Sequence, residues 1–153
     1  MAAPDNIDHF NRVVLHTFDR LYSAFPIPTE IKVAEIAELA SPGSIPADAP
    51  FKMLEPTFEA IRFLKEEGFL KYSDHFTEGT AFLQVQLTMK GLAVLGEAPD
   101  SLERRESLIS RIRSVLAAGA KGASSEAVKQ VVSQLFTMAV AVAPSVTSLL
   151  SKP

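Results

Sequence analysis

Apolar positions along the chain repeat with a helical period, then with strict alternation, then with a helical period again. Ile7, Phe10, Val14, Phe18, Leu21, Tyr22 and Phe25 predict a helix over Asp5 to Phe25 with one buried face, its start capped by Asp5 or Asn6. The phrase FPIPTEI ends it, because Pro26 and Pro28 lack the backbone N–H and push the preceding residue out of helical geometry. A short extended piece is expected there. Val33, Ile36, Ala37 and Ala40 predict a second helix over Lys32 to Ala40, and the proline-rich SPGSIPADAP is loop by composition. A third helix, Leu54 to Glu67, carries the stripe Leu54, Phe58, Ile61 and Leu64 and stops at Gly68.

The period then changes. Leu83, Val85 and Leu87 alternate with Gln84, Gln86 and Thr88, which predicts a half-buried strand, and FLKYS pairs with it across a turn at Thr77, Glu78 and Gly79. Thr88 is placed to cap a following helix, Met89 to Leu95. After Pro99, DSLERRESLISRIRSVLAA reads as a helix capped by Asp100 or Ser101, with Leu102, Ile109, Ile112 and Leu116 on one face. GAKGAS is a break. A last helix from Ser125 repeats Val128, Val132, Leu135, Ala139, Val142, Val146 and Leu149 in a heptad-like seam that Pro144 is expected to kink or interrupt.

The order helix, strand, helix, loop, helix, two-stranded hairpin resembles the winged helix-turn-helix superfamily over Asp5 to Gly96. IRFLKEEGFLKYS is similar to the end of its third helix and first wing strand, and LQVQLTMKGLAVL to its second wing strand and next helix. The expected fold is mainly α with a small β-hairpin: a winged-helix domain over 5–97 and a C-terminal helical hairpin over 100–151. The resemblance implies DNA binding, with the third helix in the major groove and the wing on phosphates. A dimeric DNA-binding regulator is the first expectation, and its contact residues would be Lys52, Thr57, Arg62, Lys65 and Lys71.

Charge changes that picture. At 153 residues and a net charge of −3, the chain divides into thirds carrying −4 (1–50), −3 (51–100) and +4 (101–153). Phosphate contacts need clustered cations, yet the third helix sets Glu55, Glu59, Glu66 and Glu67 against Arg62 and Lys65. The wing sets Asp74 and Glu78 against Lys71. The alternative expectation is a protein-interaction module that offers Glu55, Glu59, Asp74 and Glu78 to a basic partner, with the C-terminal helices for assembly or membrane docking.

The stretch from Gln130 to Ser151 carries no charge, but eight of its residues are Ser, Thr or Gln. A membrane span is therefore disfavoured. Val131, Phe136, Met138 and Val140 form a second apolar face beside the seam, which predicts packing both on the winged unit and on a second copy of the chain. Val128, Val132, Leu135, Val142 and Leu149 are the expected oligomerisation residues.

Catalytic signals are weak. Cysteine is absent, which removes thiol chemistry and suits a reducing, cytoplasmic setting, and MAAPDNIDHF lacks the features of a secretory signal. His9 and His16 stand two helical turns apart, too far to share a metal ion. His75 beside Asp74 has no nucleophile motif, and no phosphate loop, dinucleotide glycine pattern or HExxH is present. No enzyme activity, metal or cofactor is expected.

Overall fold

The structure, a computed structural model, describes residues 5–41, 49–75, 80–96, 107–118 and 124–151, the side chains of 5, 49–53 and 141–151 excepted. It is mainly helical with a small antiparallel sheet. In chain order the elements are α1 (Asp5–Ala24), β1 (Thr29–Lys32), α2 (Val33–Ala40), α3 (Ala49–Glu66), β2 (Leu70–Lys71), β3 (Asp74–His75), β4 (Ala81–Leu87), α4 (Met89–Gly96), α5 (Leu108–Ala117) and α6 (Ser125–Ser151).

Helix α1 is the central post. Val14, Phe18 and Leu21 are buried as its periodicity predicts, but Val13, Leu15, His9, Asn11, Arg12 and Thr17 are buried as well, and Ile7 is exposed. The expected single buried face is corrected to burial on nearly all sides, because α2 and α3 pack on α1 while α5 and α6 pack on it too. Helix α2 buries the four predicted residues, Val33, Ile36, Ala37 and Ala40.

The two prolines of FPIPTEI lead into β1, which pairs antiparallel with β4. The sheet runs β1-β4-β2, and β3 also pairs with β4. Leu70 faces Leu87, Lys71 faces Gln86, Asp74 faces Leu83 and His75 faces Phe82, so β2 and β3 form one arm of the predicted hairpin. Its turn at Thr77 to Gly79 lies outside the described residues. Strict alternation along β4 fails. Gln84 adopts φ +54° where the β1 register shifts, and Phe82, Val85 and Leu87 are buried while Leu83 is only half-buried. One extra residue at this bulge changes which positions face the core.

Helix α3 begins at Ala49 rather than Leu54, holds Pro56 in its interior, and ends as Gly68 predicts. With φ +86°, Gly68 donates from its N–H to the Lys65 carbonyl (3.0 Å), and the Phe69 N–H reaches the Leu64 carbonyl (2.9 Å). This is the Schellman arrangement. Helix α4 then seals the junction. The Thr88 hydroxyl donates to the Gly68 carbonyl and accepts from the Gly91 N–H (3.1 Å), the Thr88 N–H donates to the Phe69 carbonyl (3.1 Å), and Lys90 Nζ donates to the Glu67 carbonyl (2.7 Å).

The helix predicted from Asp100 is corrected. Ser107 has extended backbone and its hydroxyl accepts from the Ser110 N–H (3.2 Å), so it caps α5. Asp100, Ser101 and Leu102 lie outside the described residues. Arg113 fastens α5 to α1 by donating to Asp19 (2.9 Å) and Ser23 (2.8 Å), and Arg111 donates to Gln134 of α6. The α6 backbone continues as helix through Pro144, so the expected interruption is not seen.

Val128, Val132 and Leu135 of the seam, with Val131 and Ala139, belong to the same core cluster as Phe18, Ile61 and Leu95. The first half of the seam is thus filled by the chain itself, which corrects its assignment as a contact with another copy. Heptad spacing requires a neighbour, and α1 and α4 supply it. Val142 and Leu149 fall among the side chains outside the described set.

Candidate functional site

The polar face of α3 and the adjoining hairpin carry six of the nine residues predicted for nucleic-acid or partner contact. Glu55, Glu59, Arg62 and Lys65 are exposed on α3, Lys71 on β2 and Asp74 on β3. Lys52 is in α3 with its side chain outside the described set, and Glu78 lies outside the described residues.

Thr57 is not on that face. It is fully buried, and its Oγ1 lies 2.8 Å from His9 Nε2 on α1. Its assignment as a groove-contacting residue is corrected: a small β-branched side chain on the core side of α3 is held by a buried imidazole. Burial lowers the His9 pKa below the ordinary 6.5, with Asp8 partly opposing the shift. His16 is lowered likewise, chiefly by burial. The two histidines are packing groups of α1, and among the described residues no group of three or more His, Asp or Glu could hold a metal ion.

Helical spacing sets the electrostatics of the exposed face. Arg62 reaches Glu59 one turn before it (3.3 Å) and Glu66 one turn after it (3.4 Å). Its guanidinium is therefore shared between two carboxylates. Lys65 Nζ stands 5.4 Å from the centre of the Tyr72 ring, a cation–π distance. Tyr72 itself has its phenol pKa raised by partial burial, with Arg62 lowering it and Glu66 and Glu59 raising it. Asp74 accepts from the backbone N–H of His75 (2.8 Å), a local turn contact.

Sequence periodicity does not show the aromatic packing that joins hairpin to helix. Phe58 stacks on Phe82 at 4.7 Å and meets the His75 ring edge-on at 5.2 Å, while Tyr72 also contacts Phe82 at 4.7 Å. These rings set His75 of β3 against α3, and Asp74, its neighbour on the strand, is exposed. A second row joins three helices. Phe63 of α3 meets Phe10 of α1 (5.6 Å), and Phe10 stacks on Phe136 of α6 (6.2 Å). The only signal for this row in the sequence is an apolar Phe63 among the charges of RFLKEE.

No protein-family model, curated protein or solved structure matches the chain. Among the described residues, no helix is long and apolar enough to cross a membrane.

Proposed function

We propose that this is a non-enzymatic binding protein whose α3–hairpin face takes a protein partner rather than nucleic acid, on a winged-helix scaffold. The scaffold reading is supported by the order α1-β1-α2-α3 followed by the hairpin, with β1 added to the hairpin as a third strand. The observation that carries the choice of partner is the state of the α3 cations. Arg62 is shared by Glu59 and Glu66, Lys65 lies over Tyr72, and Thr57 is inside the core. A helix entering a DNA groove needs free donors and net positive charge, and this one offers carboxylates. The exposed carboxylates of Glu55 and Glu59 on α3, and of Asp74 on the hairpin, instead suit a basic protein.

The test is a mobility-shift titration with random duplex DNA at about 50 mM salt, comparing the native protein with Glu55→Lys/Glu59→Lys. Non-specific DNA binding is visible at tens of micromolar protein or below. The native protein should leave the DNA unretarded, and the double variant, with Arg62 released from one carboxylate, should retard it. Retardation by the native protein would overturn the choice of partner and restore the nucleic-acid role.

A further inference from the structure

The row of rings Phe63–Phe10–Phe136 comes to the surface beside the acidic face. Phe63 is 43% exposed, Ile7, one turn before Phe10, is 45% exposed, and Val140, one turn after Phe136, is 71% exposed. Three helices thus present one apolar patch. Isolated exposed apolar side chains are ordinary, but a patch formed across elements marks an interaction site.

Phe63 stands at the boundary between this patch and the acidic surface. Glu59 lies one turn before it, and Glu66 and Glu67 one turn after it. At 100° per residue, Glu55, Glu59 and Glu66 fall to the side of Phe63 opposite the buried Thr57, Ile61 and Leu64. On the far side of the patch, α6 has no charge from Gln130 onward. The surface is therefore two-toned: a line of rings with a net acidic border on one side, where Arg62 is shared by Glu59 and Glu66 and Glu55 stands beside them, and neutral side chains on the other.

From this charge complementarity we infer that the patch is a docking site for a basic amphipathic helix of a partner protein, its apolar stripe laid on Phe63, Phe10 and Val140 and its lysines or arginines along Glu55, Glu59 and Glu66. The inference rests on the protein-partner reading above and deepens it by naming the partner's chemistry. A duplex nucleic acid, its bases already stacked on one another, gains nothing from the rings and is repelled by the carboxylates. A basic but unstructured segment satisfies the acidic border and leaves the rings in water. A helix with a period of 3.6 satisfies both, because its two faces stand side by side as the two tones of this surface do.

The experiment uses two labelled peptides of equal positive charge, an amphipathic leucine–lysine helix and a lysine–glycine chain, titrated with the full protein and followed by fluorescence anisotropy. The leucine–lysine helix should bind in the micromolar range. It should weaken at least about tenfold with Phe63→Ser and with Glu55→Lys/Glu59→Lys, while the lysine–glycine chain should weaken only with the glutamate changes. Val140→Ser, at a more exposed position, gives a second test of the patch, and circular dichroism checks that each variant is folded. Loss of binding with the glutamate changes but not with Phe63→Ser or Val140→Ser overturns the docking site and leaves the acidic-face reading standing. Binding indifferent to all the variants overturns both. No binding of the leucine–lysine helix overturns the inference, and the DNA titration then judges the reading beneath it. A native dimer dissociated by Phe63→Ser would also overturn it, because the occupant would be a second copy.

Discussion

His9 of α1 and Thr57 of α3 meet at 2.8 Å inside the protein, a polar contact between two helices that pack on one another. Replacing Thr57 with Val keeps the shape and removes the oxygen, so the buried imidazole loses a partner. A loss of about 1–3 kcal/mol is expected in urea unfolding. DNA or peptide affinity should not change in the folded variant, because the side chain does not reach the surface.

Stability should also follow pH. Both His9 and His16 have folded-state pKa values below the ordinary 6.5. Above 6.5 they are neutral in the folded and unfolded chain alike, and their full contribution is present. As pH falls below 6.5, the unfolded chain takes up protons that the folded chain refuses, and stability declines until pH has passed the folded values. The urea midpoint should be lower at about pH 5 than at about pH 7.5, and His9→Gln/His16→Gln should flatten that slope. An equal slope in the variant would assign the effect to carboxylates.

Gly91 and Gly96 of α4 should respond in opposite directions. A Cβ on Gly91 would stand 2.2 Å from the Phe69 carbonyl oxygen, whereas one on Gly96 would have only the Tyr22 hydroxyl near it, at 3.9 Å. Gly91→Ala must open the α3–α4 junction and should cost about 3 kcal/mol or more. Gly96→Ala should be neutral or stabilise by up to about 1 kcal/mol through helix propensity. Thermal unfolding of the two variants side by side checks both.

Leu135→Ala separates a core role from an assembly role. The side chain is fully buried within the chain, so the change should cost about 2–5 kcal/mol in unfolding. The sedimentation coefficient of the folded protein should stay as it was. A shift in oligomeric state without loss of stability would return the seam to an intermolecular role.

Arg113 is a polar fastening of α5 to α1, reaching Asp19, Ser23 and the face of the Tyr22 ring. All of this is partly solvated, so Arg113→Ala should cost no more than about 1 kcal/mol, and less at high salt. Hydrogen exchange should show the loss in α5 before it shows elsewhere.

Elements were legible where one side chain dictates one geometry. Gly68 ends α3 because a left-handed residue is needed there, and Thr88 caps α4 because its hydroxyl reaches the Gly91 N–H. The bulge at Gln84 was not legible, since glutamine carries no preference for positive φ and only pairing with β1 requires it. Periodicity on α1 reported Val14, Phe18 and Leu21 and passed over Val13, Leu15, His9, Arg12 and Thr17, whose burial depends on neighbours distant in sequence. The seam on α6 shows the same limit, because spacing states that a helix is covered but not by what. At the candidate site the carboxylates of α3 were legible as an exposed polar face. The meeting of Phe63 with Phe10 and Phe136 was not, since three separate helices create it.

The position of α1 at the centre carries a consequence for synthesis on the ribosome. This helix leaves the exit tunnel before the others, yet a side of it is covered by α6, which begins only at Ser125. Until those late residues emerge, Phe10 lacks Phe136 as its stacking partner, and a growing chain halted after α4 carries a bare apolar flank. The earliest of these helices is finished by the latest, so a chain arrested between them exposes greasy surface that the later residues cover.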